Sequence, residues 1–201
     1  FFNYGLVAAA VDTALLAVVA AVLAQRFLRS GMHRNLPIVG VLLGLAACNA
    51  SFHASLLDFL DISPLAAIEA GLMLVVLLVM IVGARVVPAF SASAVAGLDP
   101  FRAPLLQRAA IASAVAAFVA DSLHPSSAIA GLASFAAALF TAAQWLCWKP
   151  WATRHRPMAW ILQGSYGFIP VGLLLLGASA FGLLPRSAAI HAFSVGAMGG
   201  M

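Results

Sequence analysis

Long apolar runs separated by short polar turns dominate the pattern of this chain, and none of them alternates residue by residue. Seven runs stand out, approximately 3–25, 36–60, 63–86, 105–122, 127–148, 158–183 and 188–201, the last cut short. A helix crossing a bilayer needs about 17–25 such residues at about 1.5 Å of rise each. Ser30-Gly31, Ser63-Pro64, Pro88, Asp99-Pro100, Pro104, Pro125, Pro150, Pro157 and Pro185 fall at or near the junctions, where chain breakers belong. The fourth run is the weakest. Arg108 sits in its first turn and must snorkel to the interface. Pro170, flanked by Gly164, Gly167 and Gly172, predicts a kinked or locally unwound sixth helix. Backbone in a bilayer must be paired within the structure, so the choice lies between helices and a closed barrel, and runs of Ala and Leu without two-residue alternation decide for helices. The predicted fold is all-α, a polytopic transmembrane bundle of about seven spans forming one domain over residues 1–201. A start at Phe1-Phe2-Asn3 and a stop inside an apolar run point to a piece of a longer bundle.

Composition sharpens this picture. Apolar residues make up 64% of the 201 and charged residues 8%, which is too little polar surface for a water-soluble fold of this size. Mean hydropathy is +1.08. The net charge of +4 and pI near 9.8 suggest at first an anionic partner. Sorted by loop, however, Arg26, Arg29 and Arg34 follow the first run, Arg85, Arg102 and Arg108 surround the third loop, and Lys149, Arg154 and Arg156 follow the fifth run, while Arg186 alone lies in the alternate loops. Nine cations against one is a positive-inside signal, so the basicity maps topology and requires no nucleic acid. The expected partners are membrane lipid and the remainder of the same chain. Trp145, Trp148, Trp151 and Trp160 cluster as an interfacial belt does. Cys48 and Cys147 are too far apart in sequence to read as a metal motif or a disulfide framework.

In spans this apolar, polar side chains demand an explanation, because ionisable groups inside a membrane are costly and default to function. Asp12, Asn49, His53, Glu69, Gln163 and His191 are the candidates. Counted from the ends of their runs, His53, Glu69 and His191 lie at one depth, ~5–12 Å below the outer surface. Three helices presenting two imidazoles and a carboxylate at one level suit a metal or haem iron, with the carboxylate orienting a ring. Asn49, four residues before His53, shares its face. The competing interpretation is helix glue, interhelical hydrogen bonds with no ligand. Arg85 near Pro88 is a topology anchor or a partner for an anion. His33, His124 and His155 fall in loops and read as solvated. Met198 and Met201 read as packing, and Gly40-xxx-Gly44 as a weak helix-contact motif. No P-loop, GxGxxG, HExxH or GxSxG is present.

Four stretches carry a family resemblance: Asn49-Ala50-Ser51-Phe52-His53; Gly83-Ala84-Arg85-Val86-Val87-Pro88-Ala89-Phe90; Arg154-His155-Arg156-Pro157-Met158-Ala159-Trp160-Ile161-Leu162 with Ile169-Pro170-Val171-Gly172-Leu173; and His191-Ala192-Phe193-Ser194-Val195-Gly196-Ala197-Met198-Gly199. In this order they resemble the NnrS family, bacterial inner-membrane proteins associated with the nitric oxide response and described as containing haem and copper. The resemblance implies a multi-pass protein of the nitrosative stress response that binds haem, with copper as a further cofactor and nitric oxide as a ligand. It makes His191 and His53 the metal ligands, Arg85 a cofactor-binding position, and Asn49 and Glu69 their supports. Two departures are visible. Phe90-Ser91-Ala92-Ser93 stands where the family reads like Phe-Thr-Arg-Asn, and Gln163-Gly164-Ser165-Tyr166 stands where a His precedes Gly-Tyr. The alternative function is a small-solute transporter or channel without a metal cofactor, in which the polar groups line a path and Pro170 marks a gate. A third is an assembly partner in which every polar group is helix glue.

Overall fold

Seven α-helices and no strands make up the described residues, 5–201 of a computed structural model. They are α1 (Leu6–Arg29), α2 (Leu36–Leu56), α3 (Pro64–Ala94), α4 (Pro104–Leu123), α5 (Ala128–Cys147), α6 (Pro157–Ala180) and the short α7 (Arg186–His191), which runs on as a π-helix over Ala192–Met198. The first six are long and apolar enough to cross a membrane. Residues 3 and 4 of the first predicted span lie outside the described residues. Proline opens α3, α4 and α6 at the first helical position, where its missing amide costs no hydrogen bond.

The helix ends follow local chemistry. After α1, Gly31 adopts φ 67°, the Gly31 amide reaches the Leu28 carbonyl and the Met32 amide reaches that of Phe27. This paired closure consumes two of the carbonyls a helix end leaves open. Asp58 ends α2 the same way at φ 57°, with the Phe59 amide on the Ala54 carbonyl, so the second span stops at Leu56 rather than near 60. A short polar side chain tolerates this left-handed conformation better than most residues. The Ser55 hydroxyl then donates to the Ile62 carbonyl across the turn.

Two internal prolines leave their helices continuous. α3 runs through Pro88 to Ala94 instead of ending near 86, which leaves Arg85 inside a helix rather than at its end. α6 is continuous through Pro170, with no unwound turn. A proline removes a single i→i−4 bond, and an apolar surrounding that offers no water favours keeping every other bond of the ladder. Near Pro88, the Ser91 hydroxyl donates to the Val87 carbonyl at 2.8 Å.

The chain divides into two compact units, one extending to Leu78 and the other Val79–Met201, with the boundary inside α3. In the first unit α1 packs on α2. Gly44 of α2 lies against Leu74, where an added Cβ would come within 2.9 Å, while Gly40 meets nothing within 4 Å. Only half of the predicted GxxxG pair therefore makes a close contact.

In the second unit α6 is central, and 50% of its most apolar window is buried, against 11% for α1. Ala110, Ala114 and Ala117 of α4 and Ala130, Ser134, Ala137 and Thr141 of α5 are buried at helical spacing, the small-residue face that lets helices approach in lipid. A Cβ on Gly177 would lie 3.1 Å from the Gly131 carbonyl oxygen, so α5 and α6 nearly touch there. The tryptophan cluster divides. Trp151 is exposed as an interfacial residue should be, but Trp148 is buried with its ring 4.7 Å from that of Tyr166. Trp145 donates its indole N–H to the Gln163 carbonyl at 2.9 Å.

Candidate functional site

In the first unit, Asn49 and His53 lie one turn apart on α2 and converge on a single carboxylate oxygen of α1. Asn49 Nδ2 donates to Asp12 Oδ2 at 3.0 Å, and His53 Nε2 lies 2.8 Å from the same oxygen. The His53 ring is 7% exposed and the Asp12 side chain 59% exposed. Because a carboxylate only accepts, Nε2 carries the proton in this pair. The i, i+4 spacing on α2 brings both donors to one face, and Asp12, about 9 Å along α1 from Leu6, meets them there. With α2 ending at Leu56, His53 lies about one turn from the helix end, shallower than its predicted place. Glu69 is half-buried early in α3, in the same unit. Asp12, present in the sequence as an unexplained intramembrane acid, is the carboxylate on His53 Nε2.

An open cleft of about 470 Å³ lies beside this cluster. Asp12 and Asn49 supply its polar edge, and Leu15, Leu45, Phe52 and Ile68 are among its walls.

In the second unit, His191 ends α7 with its ring exposed. Its Nδ1 lies 2.9 Å from the Ser187 carbonyl oxygen. A carbonyl can only accept, so the proton is on Nδ1 and the neutral ring presents Nε2 as its lone-pair nitrogen. Nε2 has no hydrogen-bond partner among the described residues. Metal-ligating histidines are commonly fixed by this arrangement, with the far nitrogen held by a backbone carbonyl. Arg85 is half-buried in the α3 half that belongs to this unit.

Two further polar contacts hold the second unit together. Gln163 is fully buried and donates Nε2 to Ser91 Oγ at 2.9 Å, while its Oε1 has no partner. Gln163 thus bonds a residue of the Phe90-Ser91-Ala92-Ser93 stretch. Leaving one buried acceptor unmet costs about 1–3 kcal/mol. Gln163→Met keeps the volume and removes that orphan, so it is expected to leave thermal stability unchanged or raise it. A fall of several degrees in the unfolding midpoint would contradict this.

The second contact is a bidentate ion pair. Arg186 Nη1 and Nη2 donate to Asp121 Oδ1 and Oδ2, both at 2.7 Å. Asp121 is almost fully buried. The one cation that the loop count put on the opposite side is therefore neutralised at the end of α4. His33, His124 and His155 are exposed, as their loop positions predict. Among the described residues no three His, Cys, Asp or Glu side chains form a group able to hold a metal ion.

Six apolar membrane-length helices, wide exposed apolar faces and few, internally paired polar groups define a multi-pass α-helical membrane protein. The family model for NnrS protein matches residues 1–201, and the chain belongs to the NnrS family. Neither a curated protein nor a solved structure matches it.

Proposed function

We propose that this chain binds haem in the bacterial inner membrane as part of the response to nitric oxide, with His191 as an axial ligand to the iron. The carrying observation is the ring of His191, whose Nδ1 is tied to the Ser187 carbonyl and whose Nε2 is presented outward. Membership of the NnrS family over the full length supports the same reading.

Haem needs one or two axial ligands, so the histidines present fit it. His53 would be a further iron-ligating position, within the first unit, with Asp12 as the carboxylate that fixes its ring. Asn49 steadies that carboxylate, and Glu69 adds charge nearby in the same unit. Arg85 would pair with a haem propionate through its planar fork. Bound haem supplies an iron that takes nitric oxide as a ligand. Copper fits less well, since a site of three His, Cys, Asp or Glu ligands is not assembled among the described residues.

Optical spectroscopy of the purified protein in detergent, with and without nitric oxide, tests the reading. A Soret band that shifts with the gas and is largely lost in His191→Ala is the expected result. Full haem occupancy in both His191→Ala and His53→Ala would sink the ligand assignment. Lack of haem together with solute flux in proteoliposomes would favour a transporter.

A further inference from the structure

We propose that the cleft in the first unit is a binding site for a lipophilic ammonium, a protonated amine carried on an apolar body, with Asp12 as its counter-ion. The cleft shares Asp12 and Asn49 with the haem reading but does not include His53, so amine binding and the Soret spectrum report on the two readings separately.

Both hydrogen bonds to Asp12 fall on Oδ2, so Oδ1 has no partner among the described residues. Asn49 and His53 hold the carboxylate in place, since each donates to it. The carboxylate sits about 9 Å along α1 from Leu6. Carboxylates within apolar helices normally have their oxygens partnered, and an ammonium N–H in the cleft would complete Oδ1.

The cleft states the rest of the ligand. Its volume of about 470 Å³ falls in the range of small-molecule sites. Leu15, Leu45 and Ile68 give walls for an aliphatic or aromatic body. Phe52 adds a ring on the same cleft, and aromatic faces attract ammonium groups through their quadrupole. The ring is itself fixed edge-on against His53, with centroids 5.5 Å apart. A hydrated inorganic ion would gain nothing from these walls, and an uncharged lipid chain would leave Oδ1 unmet. An ammonium with an apolar body satisfies both.

The test uses the full-length protein in nanodiscs of zwitterionic lipid, a dansyl-labelled alkylamine as probe, and its uncharged N-acetyl derivative as control. Saturable binding of the amine, at least tenfold tighter than that of the N-acetyl derivative, is expected. Asp12→Asn should abolish that preference, and Phe52→Leu should weaken amine binding several-fold while sparing the Asp12 contacts. Should Asp12→Asn fail to fold, Ile68→Trp decides, because it fills the cleft without touching the carboxylate and should remove amine binding. Equal binding of amine and N-acetyl derivative, or unchanged amine binding in Ile68→Trp, would overturn the proposal.

Discussion

Arg186→Ala is expected to destabilise the protein by about 3–5 kcal/mol, because it strands the buried Asp121 carboxylate without the guanidinium that donates to both of its oxygens. Asp121 is 2% exposed at its side chain and Arg186 29%. That asymmetry sets the order of the variants. In Asp121→Asn the guanidinium keeps an amide oxygen to donate to and can also swing toward the interface, so its loss should be smaller, on the order of 1–2 kcal/mol. Arg186→Ala leaves the carboxylate no such escape, except by taking up a proton. The double variant Arg186→Ala/Asp121→Ala should recover part of the loss, since a missing pair costs less than an unpaired charge. Thermal unfolding of the purified protein measures all three. Equal losses in the two single variants would mean that the ion pair behaves as a solvated one. The pair joins α4 to the first turn of α7, so its loss should loosen the segment that carries His191.

Phe193→Ala should have the second large effect. The ring is fully buried, stands edge-on to Phe118 at 6.0 Å, and occupies the space that a side chain on Gly172 would take. A Cβ there would lie 2.4 Å from the ring, so the two positions are matched, a large side chain on the π-helical segment facing a backbone on α6. In soluble cores Phe→Ala costs about 3–5 kcal/mol. Lipid is as apolar as the core, so only the packing part of that figure applies, and about 2–4 kcal/mol is the expectation. Gly172→Ala should destabilise by about 1–3 kcal/mol from the opposite direction, by overpacking. A loss below about 1 kcal/mol for Phe193→Ala would show that the cavity collapses readily or that the segment is not held by this contact.

The same segment shows where sequence pattern stops. Ala192–Met198 carries no local mark of a π-helix, which is a response to packing: Phe193 must enter the Gly172 gap while Gly196 clears Phe168, where a Cβ would meet the ring at 2.4 Å. Helix ends were more legible where they rest on local chemistry. Ser30-Gly31 marks the end of α1, whereas the stop at Asp58 lies hidden in an apolar run that continues to Leu60. Pro88 and Pro170 sit inside continuous helices for the opposite reason. Their local preference is to break helices, and the apolar surrounding overrode it.

The polar groups divide along the same line. That Asp12, Asn49, His53, Gln163 and His191 need explaining follows from hydropathy alone, and the pairing of Asn49 with His53 follows from their spacing. That Asp12 completes the pair, that Gln163 bonds Ser91 across 72 positions, and that Arg186 closes on Asp121 across 65, could not be read from spacing. The sequence by itself determined the helical class, the first six of its seven apolar runs as membrane-length spans and the excess of cations in alternate loops, because each depends on the composition of a single run of residues and its fit to a bilayer. Only the tertiary structure decided which helix supplies the counter-charge to each buried group, because in lipid a polar side chain takes whichever partner the packing of neighbouring helices brings within hydrogen-bond reach.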